Sequence, residues 1–147
     1  MQGILISGEL YKKHNTDAGW DIFSAENVCV PSGGNAIINT GLRILVPKGC
    51  VGFVKSRSGL SFKHHIEVKA DLENGAGVID SGYTGEVRVK VYNFGTKPFK
   101  VYAGDRIAQL ITIPIYTGDY KQEEVSGNTE RGNNGFGSTG GSDALDV

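Results

Sequence analysis

The chain has 147 residues and a formal net charge of −1. That length suits one domain with a sizeable core, and the near-neutral balance excludes a general electrostatic attraction to nucleic acid or acidic membranes. Glycine, at 22 residues, is about twice its ordinary share. Apolar residues at helical spacing are scarce, so these glycines read as turns between short strands.

Strands are predicted over residues 4–6, 22–23, 28–30, 36–38, 42–46, 51–55, 66–68, 78–79, 86–92, 99–102 and 106–115. The opening "MQGILISGEL" has neither a basic start nor a long apolar run. No secretion signal or membrane span is expected, and the expected setting is cytoplasmic, or the host-cell interior for a viral protein. Cys29 and Cys50 have no CxxC spacing. Two buried free thiols are expected, with a disulfide left open. One short helix is predicted after Ser58, in "GLSFKHH". The clearest strand is "EVRVKVY": Val87, Val89 and Val91 face one side and Glu86, Arg88 and Lys90 the other. Turn signals at "PSGGN", "PKG", "NFGTKP" and "YAGD" are spaced as in an all-β barrel or jelly roll. Residues 1–116 are therefore read as the β domain and 117–147 as a linker and glycine-rich tail.

Five segments carry residues that suit neither strand nor core. "AGWDIFSA" sets Asp21 among apolar neighbours. "SRSGLSFK" ends a strand with Arg57, Ser58 and Gly59: one fixed charge, one hydroxyl and one bare backbone. "NGAGVIDSGYTGE" reads as a hairpin over 74–86 with Asp80 and Tyr83 three apart, although Asp80-Ser81-Gly82 is also a sound turn by itself. "GDRIAQL" opens a strand with Asp105, Arg106 and Gln109. Asp21 and Asp105 are equally at home as turn residues or as partners of Arg57 and Arg106. "RGNNGFGSTG" has one ring, Phe136, among glycines, with Arg131, Ser138 and Thr139 beside it. It suits a flexible tail, or an arm whose ring covers a base and whose arginine and hydroxyls hold phosphates. His64 and His65 are sequence neighbours that point apart, which disfavours a shared metal.

In order and wording the five segments resemble the motifs of the trimeric deoxyuridine triphosphatases, the dUTPases, over residues 17–140. The resemblance implies a small distorted jelly-roll or β-barrel with one short helix and a mobile C-terminal arm. It implies a homotrimer whose active sites are shared between subunits, with the arm closing a neighbour's site. The activity implied is dUTP diphosphatase: water attacks the α-phosphorus, giving dUMP and pyrophosphate. Such an activity limits uracil incorporation into DNA and supplies dUMP for dTMP synthesis. Asp80 is then the catalytic residue that orients and deprotonates water. Asn74, Gly77, Val78 and Ile79 belong to the segment whose backbone reads uracil, and Tyr83 packs under the deoxyribose. Arg57, Ser58, Gly59 and Gln109 hold phosphates, and Asp21 and Asp105 support arginines or metal-bound waters. Phe136 stacks on uracil while Arg131, Gly137, Ser138 and Thr139 meet the γ-phosphate. Mg2+ is the implied cofactor, held by substrate phosphates and waters with no direct protein ligand. The partners implied are dUTP and two further copies of the chain, without direct nucleic-acid or membrane binding. The family usually has proline before the Arg-Ser-Gly triplet, where this chain has Ser56.

Two rivals share features of this pattern. dCTP deaminase has the same fold, with a catalytic glutamate ten residues after the aspartate, where this chain has Lys90, and tryptophan in place of Tyr83. A protonated lysine cannot serve as that base. The second rival is a nucleotide-gated regulatory protein that binds dUTP and a second protein partner, for which the sequence carries no separate signal.

Overall fold

The structure, a computed structural model, describes residues 2–71, 77–127 and 129–135, with the side chains of 69–71 outside the description. Two compact units divide the chain, Met1–Thr117 and Gly118–Val147. The first contains the strands β1 Ile4–Ser7, β2 Leu10–Tyr11, β3 Trp20–Phe23, β4 Val28–Val30, β5 Asn35–Ile38, β6 Arg43–Leu45 and β7 Cys50–Lys55. Helix α1, Ser58–His64, follows, and then β8 Ile66–Asp71, β9 Val78–Ile79, β10 Arg88–Asn93, β11 Phe99–Val101 and β12 Arg106–Pro114. In the second unit the described residues include a turn at 131–134, where the Asn134 N–H donates to the Arg131 carbonyl at 3.0 Å. No helix of the described residues is long and apolar enough to cross a membrane.

The protein is all-β, and its strands pair antiparallel in open sheets. The largest sheet runs β2-β3-β12-β7-β9, a second β5-β10-β8, and two-stranded pairs join β1 to β6 and β11 to β4. None closes on itself, so the jelly-roll half of the expectation describes this architecture better than the barrel half. Alternation does the sorting: Val87, Val89 and Val91 are buried while Arg88 and Lys90 remain partly exposed. They join Ile22, Ile38, Leu42, Ile66, Ile79, Ile107 and Leu110 in one core. Gly52 lies mid-strand in β7, where an added Cβ would come within 3.2–3.3 Å of Leu110, Val46 and Ile79. Glycine lets the neighbouring strands' side chains close over the β7 backbone.

Several expectations change. β2 was not anticipated, because two residues cannot display a period. Glu86 leaves the β10 ladder for an isolated bridge to Arg43, and its carboxylate accepts the Gly41 N–H at 2.9 Å. The segment 74–86 forms no two-stranded hairpin among its described residues. Val78–Ile79 pairs instead with Phe53 and Gly52 of β7, and a tight turn follows, with the Tyr83 N–H donating to the Asp80 carbonyl at 3.1 Å. Both cysteines are free, but Cys29 is exposed and Cys50 only half-buried, since β4 is a strand of a two-stranded pair with one face to solvent.

Asn93 is the buried polar hinge between β10 and the loop that follows. Its side-chain amide donates to the Val30 carbonyl at 3.1 Å and the Lys97 carbonyl at 2.8 Å, and its oxygen accepts the Gly95 N–H at 2.9 Å. Asn93→Ala strands three backbone groups at a buried position. It is expected to lower unfolding free energy by roughly 2–4 kcal/mol, read as a shifted urea midpoint. An unchanged midpoint would show that water satisfies those groups.

Candidate active site

The register of the largest sheet assembles one cluster. Tyr11 stands opposite Asp21, Asp21 opposite Gln109, and Gln109 opposite Lys55. Directly opposed residues project to the same face, so these four share the face away from the core. Arg106 joins them only because β12 is irregular. Its pairing shifts between Arg106 and Ala108, and Ile107 and Ala108 are both buried in succession. This is the signature of a β-bulge, which turns Arg106 to the same side as Gln109. A regular strand would have aimed the guanidinium at the core.

Asp21 binds both arginines. Arg57 Nε lies 3.2 Å from Oδ1 and Arg106 Nη1 3.5 Å from Oδ2. Arg57 Nη1 also donates to the Arg106 carbonyl at 3.2 Å. Side-chain exposures of 33% for Arg57, 43% for Arg106 and 21% for Asp21 leave the pairs partly screened. They fix geometry more than they add stability. The Arg106 guanidinium carbon is 4.6 Å from the Tyr11 ring centroid and 5.9 Å from that of Phe23, so two π faces confine its plane.

Gln109 is half-buried beside this cluster. Its amide nitrogen donates to the Ser56 carbonyl at 2.9 Å, and its carbonyl end lies where a Cβ on Gly19 would sit. Glycine in "AGWD" is therefore what leaves room for Gln109. Ser58 and Gly59 are exposed at the start of α1, and nothing lies within 4 Å of an added Gly59 Cβ. Asp105 was expected to support arginines or metal-bound waters. Its carboxylate instead accepts the Tyr102 N–H at 2.9 Å and its carbonyl the Ser24 N–H at 2.8 Å. It shapes the turn from which Arg106 departs.

The other half of the expected site lies elsewhere. Asp80 is exposed on the turn after β9, and Tyr83 is half-buried against the core. The Tyr83 hydroxyl donates to the Glu86 carbonyl at 2.8 Å, and its ring lies over Gly85, where a Cβ would come within 2.6 Å of that hydroxyl. Val78 is exposed and Ile79 buried, and Gly77 gives its carbonyl to the Val54 N–H at 3.0 Å. Because Ile79 pairs with Gly52, Asp80 falls level with Val51 at one end of β7, while Arg57 lies beyond the other end. Six residues of extended chain separate the two levels by about 20 Å. One copy of the chain does not bring Asp80 to Arg57. Arg131 donates through Nε to the Asn134 carbonyl at 2.8 Å in its own turn. Asn74, Phe136, Gly137, Ser138 and Thr139 lie outside the described residues. Tyr11, Gly19 and Phe23 were not foreseen as site residues.

Two arginines paired through one carboxylate form a patch whose guanidinium chemistry suits an anionic group, and a separate carboxylate, Asp80, stands on a turn. Comparison with known proteins gives the family. The dUTPase family model matches residues 9–140. The deoxyuridine 5'-triphosphate nucleotidohydrolase of Rattus norvegicus is 49% identical over 84% of this chain and 57% of its own length. That of Crocosphaera subtropica is 41% identical over 87% of each chain. Among solved structures, the dUTPase of Staphylococcus bacteriophage 80alpha with dUPNHPP superposes with a TM-score of 0.82 at 33% identity, covering 95% of this chain and 97% of that one. A dUTPase mutant from phage phi11 of S. aureus, described with a structural Mg(II) ion, gives a TM-score of 0.72 at 30% identity, covering 84% of this chain and 96% of that one. The chain belongs to the dUTPase family. It spans little more than half the length of the rat relative.

Gly19→Ala tests the cluster without touching a charge. The added methyl displaces the Gln109 amide from Ser56, and hydrolysis of dUTP is expected to fall about tenfold in kcat/KM with the fold retained by circular dichroism. Full activity would show that Gln109 need not be held there.

Proposed function

We propose that the chain hydrolyses dUTP to dUMP and pyrophosphate at sites shared between three copies of itself. The observation that carries this reading is the separation of Asp80 from the Arg57–Asp21–Arg106 cluster along β7. Two half-sites at opposite ends of one strand make a whole site when subunits meet head to tail about a threefold axis.

At one half-site, β9 is the outer strand of its sheet, so one side of its backbone faces no strand partner among the described residues. That edge offers the alternating N–H and C=O groups that match uracil's acceptor–donor–acceptor face, a pattern cytosine inverts. The Tyr83 ring, fixed over Gly85, forms a floor on which a ribose 2′-hydroxyl would clash, which favours deoxyribose. Asp80 takes a proton from water as the water oxygen bonds to the α-phosphorus. The α–β bridging oxygen leaves on pyrophosphate, carrying the bonding electron pair. At the other half-site Arg57, Ser58, Gly59 and Gln109 hold the phosphates, so that the reaction is mainly one of alignment and charge neutralisation.

Mg2+ arrives with the nucleotide in this reading. Among the described residues no three His, Cys, Asp or Glu side chains come together, and Asp21 is committed to two arginines. The donor set suits a hydrated ion held through phosphates. When bound, the ion supplies charge neutralisation on the leaving pyrophosphate. Residues 117–147 act as the arm, with Phe136 on the base and Arg131, Gly137, Ser138 and Thr139 at the γ-phosphate. We place the activity in the cytoplasm, or the host-cell interior for a viral protein. A second reading draws on the phage 80alpha relative, described as controlling transfer of virulence genes by a proto-oncogenic G protein-like mechanism. In that reading nucleotide binding by this chain, not turnover, would govern contact with a second protein partner.

Asp80→Asn is expected to keep dUTP binding and lose turnover by about 10²–10⁴-fold. Near-normal kcat would remove Asp80 from the chemistry. Shared sites make a sharper test. Asp80→Asn and Arg57→Ala proteins, each inactive alone, should regain pyrophosphate release when unfolded and refolded together, since some mixed trimers hold an intact site. No recovery, despite mixed trimers by mass spectrometry, would place both residues in one subunit's site. For the arm, truncation after Val125 should leave thermal stability near normal while kcat/KM falls by at least about tenfold, the cost of one lost base stack. A truncated protein of full activity would make the tail only a tail.

A further inference from the structure

The structure gives Ser56, the residue before Arg57, three partners. Its hydroxyl donates to Glu67 Oε2 at 2.7 Å and accepts the Val68 N–H at 3.1 Å. Its carbonyl accepts the Gln109 amide at 2.9 Å. The other carboxylate oxygen of Glu67 accepts the hydroxyl of Ser61, one turn into α1. Glu67 therefore joins the residue just before Arg57 to the helix that begins at Ser58, and both to β8. β8 is an outer strand of the second sheet, and Val68 spends an edge N–H on Ser56 rather than on another strand. The segment between Ser56 and Ser61 contains Arg57, Ser58 and Gly59 and is anchored at both ends by one side chain. α1 has no fully buried residue and its N-cap makes no side-chain hydrogen bond; besides Glu67, the turn is held by Arg57 on Asp21 and the Arg106 carbonyl and by Leu60 against the core.

We infer that Glu67 is a positioning residue for the phosphate-holding segment, fixing Arg57, Ser58 and Gly59 through Ser56 and Ser61 and doing by hydrogen bonds what a proline ring does by covalent restraint. The donors are well matched to a carboxylate: the Ser61 hydroxyl, and then that of Ser56, hold the Glu67 carboxyl below its ordinary value against a small opposing effect of burial. Proline would fix φ at position 56 but could not reach β8. Serine reaches it, at the cost of needing Glu67 in place. The chain thus ties its phosphate turn to the second sheet, and Gln109, bound to the Ser56 carbonyl, is held by the same bracket.

This inference rests on the reading of Arg57, Ser58 and Gly59 as phosphate holders, and its test separates the two. Wild type and Glu67→Ala are assayed for pyrophosphate release from Mg·dUTP and for competitive inhibition by deoxyuridine, which has the base and sugar but no phosphate. Glu67→Ala is expected to raise KM for dUTP about tenfold, with the inhibition constant for deoxyuridine unchanged. Glu67→Gln, whose amide can bond to both hydroxyls, should recover most of that loss. Ser56→Pro in the Glu67→Ala background should recover it by restoring the covalent restraint. An unchanged KM in Glu67→Ala overturns the inference. So does an equal weakening of dUTP and deoxyuridine, which marks general softening and not a loss at the phosphates. Wild-type protein inert toward dUTP would sink the reading of the site itself, a result that no Glu67 variant can mimic.

Discussion

Two guanidinium groups brought together on a small surface repel each other, and Asp21 is the anion that lies between them. It meets Arg57 at the end of β7 and Arg106 at the start of β12, so one carboxylate sets the relation between two strand ends. The cluster retains a net charge of +1, the sum of two guanidiniums and one carboxylate, and several N–H donors beyond those that Asp21 occupies. In the proposed reading a phosphate chain would meet an arrangement already assembled, with little side-chain entropy left to lose. The bulge at Ile107 serves the same constraint by turning Arg106 outward, and Tyr11 and Phe23 serve it by confining the guanidinium plane. Gly19 and Ser56 fix Gln109 at its flank. Each of these features is unremarkable alone and explicable once Asp21 is taken as the centre.

The same sheet that builds the cation cluster keeps it apart from the carboxylate that would do the chemistry. β7 runs between them, with Arg57 past one end and Asp80 level with the other. With the proposed water-activating group and phosphate holders about 20 Å apart on one chain, the enzyme would act only as an assembly, which would account for catalytic-looking residues scattered over five segments of a small protein. It also separates two kinds of robustness. The core, sealed by Ile22, Ile38, Ile79, Val89 and Ile107, lies within one copy, whereas the proposed site depends on how copies meet.

What was legible in the sequence follows from how local each signal is. "EVRVKVY" carries its own period, and the structure buries Val87, Val89 and Val91 as that period requires. Ser58 to His64 forms the one short helix expected after the Arg-Ser-Gly triplet. Arg57, Asp21 and Gln109 stood out because charged and amide groups are poor choices for strands. Tyr11 did not, since a tyrosine in a two-residue strand has no pattern around it, and only the pairing of β2 with β3 brings it to Arg106. The bulge leaves a trace, two apolar residues together in "DRIAQ", but the trace does not say which way Arg106 turns. Glu67 was invisible for a different reason. Its partners Ser56 and Ser61 come close through the fold, and no fixed spacing marks a carboxylate that takes two serine hydroxyls. Conversely, the motif over 74–86 was read as a hairpin because turn residues flanked apolar ones. The structure instead pairs Val78 and Ile79 with Phe53 and Gly52 of β7, a non-local contact that no local pattern marks.

The position of Lys90 carries the distinction between hydrolysis of the phosphate chain and deamination of the base. Deamination on this fold needs a carboxylate at that place to move protons at the exocyclic amine. Lys90 lies on β10, between β5 and β8 and in a different sheet from β9, with its ammonium 5.5 Å from the centre of the Tyr92 ring. A lysine there supplies no carboxylate. A cation at this position is also indifferent to uracil, which has no amine to remove. In the proposed reading the residues around the Asp80 turn would instead discriminate by shape and by backbone pattern, through Tyr83 over Gly85 and the edge of β9 that has no strand partner among the described residues. A site that selected its nucleotide by fit and had only water to activate, as proposed, would be directed at the phosphoanhydride and would leave the base untouched.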